Sequence, residues 1–119
     1  MPSRDRVLEL ISLVERGKYV EALREFYAED ASMQENMDPP RVGIANLIEN
    51  ERRILDTVKI RTNPVSAFLI DGDRAVINWV FEITTPDGRT FRQDELAHQL
   101  WNGDKIATER FYYDPAQRK

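Results

Sequence analysis

The sequence predicts an α+β domain, and two observations carry that reading. Through the first half, apolar residues recur three and four positions apart, as on one face of a helix. Through the second half they alternate every second residue between Asp-Gly and Asn-Gly pairs, the pattern of antiparallel hairpins. Helices first and strands afterwards place the helices over one face of a curved antiparallel sheet. At 119 residues the chain is read as one domain, 1–119.

Residues 4–16 set Val7, Leu10, Ile11 and Val14 on one helical face, with Ser3 as N-cap and Gly17 as the stop. After "RGK", Tyr19, Val20, Leu23, Phe26 and Tyr27 continue the helical spacing to about Ala28, so two helices should form a hairpin. From Ala31 the period falls to two, with Met33, Glu35 and Met37 on one side of a short edge strand that Pro39 and Pro40 end. A third helix is expected from about Gly43 to Thr57. Four strands then follow, Lys59–Ile70, Asp73–Thr85, Arg89–Trp101 and Lys105–Tyr113, with Pro64 beginning or interrupting the first. The tail "DPAQRK" reads as a frayed end.

Composition removes several chemistries. Without cysteine there is no disulfide framework, zinc–thiolate site or thiol nucleophile, and one histidine, His98, cannot build a His-rich metal site. No cofactor is expected. Net charge is −4 with lysines and arginines scattered among acids, so a nucleic-acid partner is not expected. No apolar run approaches the roughly 20 residues of a membrane helix. The opening "MPSRDRVLEL" has no apolar signal core, which makes the cytoplasm the expected location.

The element order, with "FYAEDASMQENMDPPRVG" and the closing "WNGDKIATERFYYDP", resembles the nuclear transport factor 2-like superfamily, and within it the SnoaL-like polyketide cyclase and ketosteroid isomerase-like branch. The resemblance spans essentially the whole chain and is specific for a fold rather than an activity. It implies a cystatin-like cone: a strongly bent sheet wrapping a helix hairpin around an apolar pocket. It also implies a homodimer through the outer sheet face, where Val76, Val80, Leu96 and Leu100 alternate outward. His98 falls on that side too and reads as an interface residue.

Counted from "AEDA", the slot that holds the general base in ketosteroid isomerases falls on Glu35. A carboxylate in an apolar cavity is poorly solvated, which raises its pKa and strengthens it as a proton acceptor. Alternation alone also allows Glu35 to face water from an edge strand. The usual oxyanion donors, a tyrosine and a protonated aspartate, are missing: their slots hold Leu10 and Ala97, or Leu96 in a shifted register. Steroid-type enone isomerisation is therefore disfavoured.

The resemblance turns Glu109, Phe111 and Tyr113 toward the pocket, giving a second acid opposite Glu35. The alternative is that Glu109 pairs with Arg61 or Arg92. Trp79 and Phe81 are core, pocket wall or both, and Gln99 with Tyr113 are candidate orienting groups. The expected site is thus Glu35 and Glu109 for chemistry, with Tyr27, Met33, Trp79, Phe81, Gln99, Phe111 and Tyr113 around the ligand. The function expected is a cofactor-free pocket protein for a small apolar or polycyclic molecule, working by carboxylate proton transfer as an isomerase, cyclase or dehydratase. A non-catalytic binding module and a protein-interaction dimer of the same fold are the alternatives.

Overall fold

A computed structural model describes all 119 residues and contains three α-helices and a seven-stranded sheet. Helix α1 (Arg4–Glu15) starts where the Ser3 hydroxyl accepts the Arg6 backbone N–H at 3.1 Å, satisfying an otherwise orphaned donor. It ends at Gly17, whose φ of 77° lets the Gly17 and Lys18 N–H groups close back onto Val14 and Leu13. Helix α2 (Tyr19–Phe26) follows at once, and both helices bury their apolar stripes, Val7, Leu10, Ile11 and Val14 against Ala22, Leu23 and Phe26.

Strand β1 (Tyr27–Glu35) begins directly after Phe26, earlier than the periodicity suggests. Tyr27 is extended and buried, so its side chain serves the sheet rather than the helix. Nor is β1 an edge. It pairs in parallel with β7 (Lys105–Tyr112) and antiparallel with the two-residue β2 (Arg41–Val42), which makes the sheet mixed.

Asn36, at φ 51°, follows β1 and clasps the end of β7: its side-chain oxygen accepts the Tyr113 N–H, and its carbonyl accepts Arg110 Nε, each at 2.9 Å. This left-handed turn throws Met37 outward, 83% exposed. The expected alternation of Met37 with Glu35 is thereby broken.

Helix α3 (Ile44–Thr57) returns across the sheet with Leu47 fully buried. The next strand is two pieces, β3 (Lys59–Thr62) and β4 (Phe68–Asp71), both on the outer side of β5 (Arg74–Thr84). Residues 63–67 stand opposite 78–80, so surplus chain must loop out, and Pro64 has no N–H to give the ladder. Strand β6 (Thr90–Asn102) completes the order β2-β1-β7-β6-β5, with β3 and β4 outermost.

Concave-face residues Ile77, Trp79, Ala97 and Trp101 pack beneath the helices. An irregularity in β7 pairs Thr108 with Leu100 but Ile106 with Trp101. The extra residue reverses the facing, so Ile106 is fully buried rather than sharing the outer side with Thr108, Arg110 and Tyr112.

The tail is docked, not frayed. Asp114 caps a 3-10 turn (Pro115–Arg118), and Gln117 exchanges hydrogen bonds of 2.9 and 3.1 Å with the Asp94 backbone on β6. No helix is long and apolar enough to cross a membrane.

Candidate functional site

The bent sheet and the helices frame two adjoining chambers: one of about 180 Å³ at the mouth, beside Arg41 and Arg118, and one of about 100 Å³ deeper against the helix hairpin. Tyr19, Met33, Glu51, Phe81 and Phe111 line both, so they form the neck. The deep chamber adds Leu10, Tyr27, Trp79 and Glu109, and the mouth adds Glu35, Glu95, Arg41 and Arg118. An apolar cavity therefore carries four carboxyl groups.

At the deep end the Tyr27 hydroxyl donates to Glu109 Oε1, and Gln99 Nε2 donates to Oε2 at 2.6 Å. Trp101 Nε1 donates to Gln99 Oε1 at 3.0 Å. Indole N–H is a donor only, so it dictates which end of the Gln99 amide faces Glu109. All four side chains are buried, and no buried polar side-chain atom lacks a partner. Burial pushes Glu109 up to about 7, against the pull of the Tyr27 and Gln99 bonds. The Tyr27 hydroxyl is raised well above its ordinary value by burial first and by the Glu109 charge second.

The mouth repeats the motif with other donors. Gln93 Nε2 donates to Glu95 Oε1 at 2.6 Å, while Arg118 Nε donates to Gln93 Oε1 at 2.9 Å and its Nη2 to the Tyr113 hydroxyl at 3.2 Å. Tyr113 donates in turn to Glu35 Oε1 at 3.3 Å. Burial pushes Glu95 up to about 8; the Gln93 bond opposes this, and the Glu35 and Glu109 charges add to it. Glu35 is raised by burial, with the Tyr113 bond and the Arg118 and Arg41 charges pulling it back. Tyr113 is pushed up to about 12 by burial and by the Glu35 charge.

Met33, Glu35, Glu109 and Phe111 are brought together because Met33 pairs with Glu109 and Glu35 with Phe111 on the parallel β1 and β7. Tyr27, Met33, Trp79, Phe81 and Phe111 line the cavity. Gln99, 0% exposed, lies behind Glu109, and Tyr113 reaches the site only through Glu35 and Arg118. Arg61 is engaged elsewhere, with Glu82 at 2.8 Å. His98 sits on the outer face beside Arg74.

Sequence reasoning overlooked Glu51, Gln93, Glu95, Arg41 and Arg118. The row Gln93, Glu95, Ala97, Gln99 was visible in the alternation, and Glu51 stands four residues after Leu47 and three before Ile54, on the apolar stripe of α3. Arg118 had no signal, because its place depends on the docking of the tail. No group of three or more His, Asp or Glu side chains is arranged to hold a metal ion.

The SnoaL-like domain family matches residues 7–109. Among solved structures, a candidate SnoaL-like polyketide cyclase from Mesorhizobium loti superposes with a TM-score of 0.84 at 21% identity, covering 95% of this chain and 100% of that one. A protein of ketosteroid isomerase-like fold from Catenulispora acidiphila, solved with trimethylamine, gives 0.81 at 14% identity over 97% of this chain and 89% of that one. TerC, co-crystallised with polyporic acid, gives 0.80 at 16% identity over 94% and 91%. At such identities these likenesses speak to fold alone. No curated protein matches the chain. With the family match running from α1 into β7, the chain belongs to the SnoaL-like domain family and has its α+β cone fold.

Proposed function

We propose that this protein binds a small, largely apolar carbonyl compound and moves a proton within it, with Glu35 as the base. The observation that carries this is the state of Glu35: one oxygen rests on Tyr113, the other takes no hydrogen bond from the chain, and the carboxyl lines an apolar chamber. A partly desolvated carboxylate of this kind takes a proton from a carbon beside a carbonyl, and the electron pair moves to the oxygen. That enolisation is the first step of an isomerisation, a cyclisation or a dehydration alike. Glu109 supports it from the deep end, where it holds Tyr27 in place. An apolar cavity of roughly 150 Å³ accepts benzene, so the two chambers fit one or two fused rings, with anything larger protruding through the mouth.

A second reading, a non-catalytic binding module, is favoured by one observation. Leu10 and Ala97 offer no donor to an enolate, and the Tyr27 proton is committed to Glu109. Exchange of the acidic hydrogens of 2-tetralone in D2O, followed by NMR, separates the two. The enzyme reading expects the protein to accelerate exchange and Glu35→Gln to return it to the buffer rate. Equal exchange in the variant removes Glu35 as base, and saturable binding without exchange supports the binding module.

The proposal extends to a homodimer through the outer sheet face. Leu96 (47% exposed) and Tyr112 (43%) stand there beside the half-buried Val76, Val80 and Leu100, an apolar strip that a second copy can cover. A monomer mass in sedimentation at micromolar concentration contradicts it.

A further inference from the structure

We propose that Glu51, at the neck on the helical wall, is a second proton-transferring side chain, handing its proton to the substrate's carbonyl oxygen while Glu35 takes one from the neighbouring carbon. This rests on the reading of Glu35 as base and supplies the donor which that reading lacks.

The first argument is position. Glu51 is the one carboxyl that lines both chambers, so a ligand reaching from mouth to depth passes it. It comes from α3, whereas Glu35 comes from β1, so the helical and sheet walls each present an acid to a flat molecule lying between them.

The second argument is availability. Both oxygens of Glu109 are engaged, and Glu35 and Glu95 each have one engaged, whereas Glu51 receives no hydrogen bond from the chain. Of the hydroxyls at the neck and deep end, Tyr27 is spent on Glu109, and Tyr19 is held in a pair with Thr62 at 2.7 Å in which either oxygen can be the donor.

The third argument is charge. Glu51 is faced by Glu35 and Tyr27 from β1, Glu109 from β7 and Tyr19 from α2, with Glu95, Arg41 and Arg118 sharing the mouth chamber. A free enolate would add an anion beside several carboxyl groups; a neutral enol would not. Burial, and then the Glu35 charge, raise the Glu51 carboxyl and favour the protonated form that a donor needs.

The step balances. The C–H bond breaks and its proton goes to the Glu35 carboxylate; the carbon–carbon double bond forms; the carbonyl oxygen takes the Glu51 proton and becomes a hydroxyl. Glu35 ends neutral, Glu51 ends as a carboxylate, and the cavity's charge is unchanged. In an enone, whose dienol offers a second carbon, the reverse step gives isomerisation: Glu35 returns its proton to that carbon, the enol hydroxyl returns its proton to Glu51, and the carbonyl re-forms.

Two probes test this. Exchange of 2-tetralone needs both a base and help at oxygen. Ring opening of 5-nitrobenzisoxazole needs only the base, because the C–H proton leaves, the nitrile forms as the N–O bond breaks, and the oxygen left on the ring is a stable cyano-nitrophenolate that needs no acid. Glu51→Leu should lower tetralone exchange by about 100-fold and ring opening by less than about threefold. Glu51→Gln, which keeps size and an N–H donor, should lose the alkaline fall of the exchange rate that the wild type shows as Glu51 gives up its proton. Unchanged exchange in Glu51→Leu overturns the proposal, as does an equal loss of both reactions, which makes Glu51 a packing residue. Asn50, one residue before Glu51 on α3, also lines the mouth chamber and carries an amide N–H; a loss in Asn50→Leu with exchange kept in Glu51→Leu assigns the donor to Asn50 instead and overturns the proposal too. A wild type inactive on both probes, or a Glu35→Gln variant that keeps both activities, sinks the underlying reading; loss in Glu35→Gln as expected, with tetralone exchange unchanged in Glu51→Leu, sinks this inference alone.

Discussion

The deep and mouth ends of the cavity are built on one plan and finished differently. At each, a glutamate is gripped by a glutamine amide whose orientation is fixed by a donor-only group: Trp101 orders Gln99 for Glu109, and Arg118 orders Gln93 for Glu95. The deep donor is a neutral, buried indole on β6, and Tyr27 fills the remaining carboxyl oxygen. The mouth donor is a cation on an exposed C-terminal turn, and Glu35 and Glu95 each keep an oxygen without a partner in the chain. A saturated network holds a shape; an unsaturated one can take a proton or a ligand. On the proposed reading, the deep end is the scaffold of the site and the mouth is its working part.

Removing the centre of the deep network should have the largest effect. Glu109→Leu strands the Tyr27 hydroxyl and the Gln99 amide in a dry interior, at about 1–3 kcal/mol for each orphaned group, read from urea denaturation. Trp101→Phe keeps an aromatic ring but leaves only the Gln99 oxygen unpaired, so a loss of roughly 1–3 kcal/mol is expected. A loss below that of a surface change in either variant would break the distinction between the two ends.

Proton linkage sharpens it. Glu95 and Glu109 are raised to about 8 and about 7 from an ordinary 4.5, so the folded chain holds protons that the unfolded chain has released. Their stabilising contribution is complete below about pH 4.5 and is lost as pH rises, through about 7 for Glu109 and about 8 for Glu95. Denaturation midpoints should fall across that window, and Glu95→Gln, which still accepts from Gln93, should flatten the upper part. The smallest change in stability is expected at the mouth. Arg118→Ala should cost less than about 1 kcal/mol while moving the Glu95 carboxyl titration, followed by carbon NMR, to higher pH; an unmoved titration would detach Arg118 from the site.

Much of this was legible in the sequence, for stated physical reasons. Helical spacing located α1, α2 and α3, and period-two alternation put Trp79, Phe81, Gln93, Glu95, Ala97 and Gln99 on one face. What alternation cannot convey is which strand lies beside which. The parallel pairing of β1 with β7 joins residues some 76 positions apart, Met33 to Glu109 and Glu35 to Phe111, and nothing local encodes it. Alternation also fails wherever the ladder gains a residue, as at Ile106, or turns left-handed, as at Asn36 before Met37. Glu51 was hidden by its residue type: an acid on an apolar helical stripe reads as an interruption until the cavity it faces is seen. The tail reads as disorder because short polar segments usually fray, and only the Asp94 backbone explains why this one does not.

The division of labour between the two ends is tested most directly by tetralone hydrogen exchange in Glu35→Gln beside Glu109→Gln. The second variant can turn its carbonyl to Gln99 and its amide to the Tyr27 oxygen, so both contacts survive and only the Tyr27 hydroxyl hydrogen must find another acceptor; it probes charge with little loss of the network. The expected result is a loss of about 100-fold or more in Glu35→Gln and a change within about threefold in Glu109→Gln. Exchange that survives in Glu35→Gln and collapses in Glu109→Gln would move the chemistry to the deep end and contradict the account.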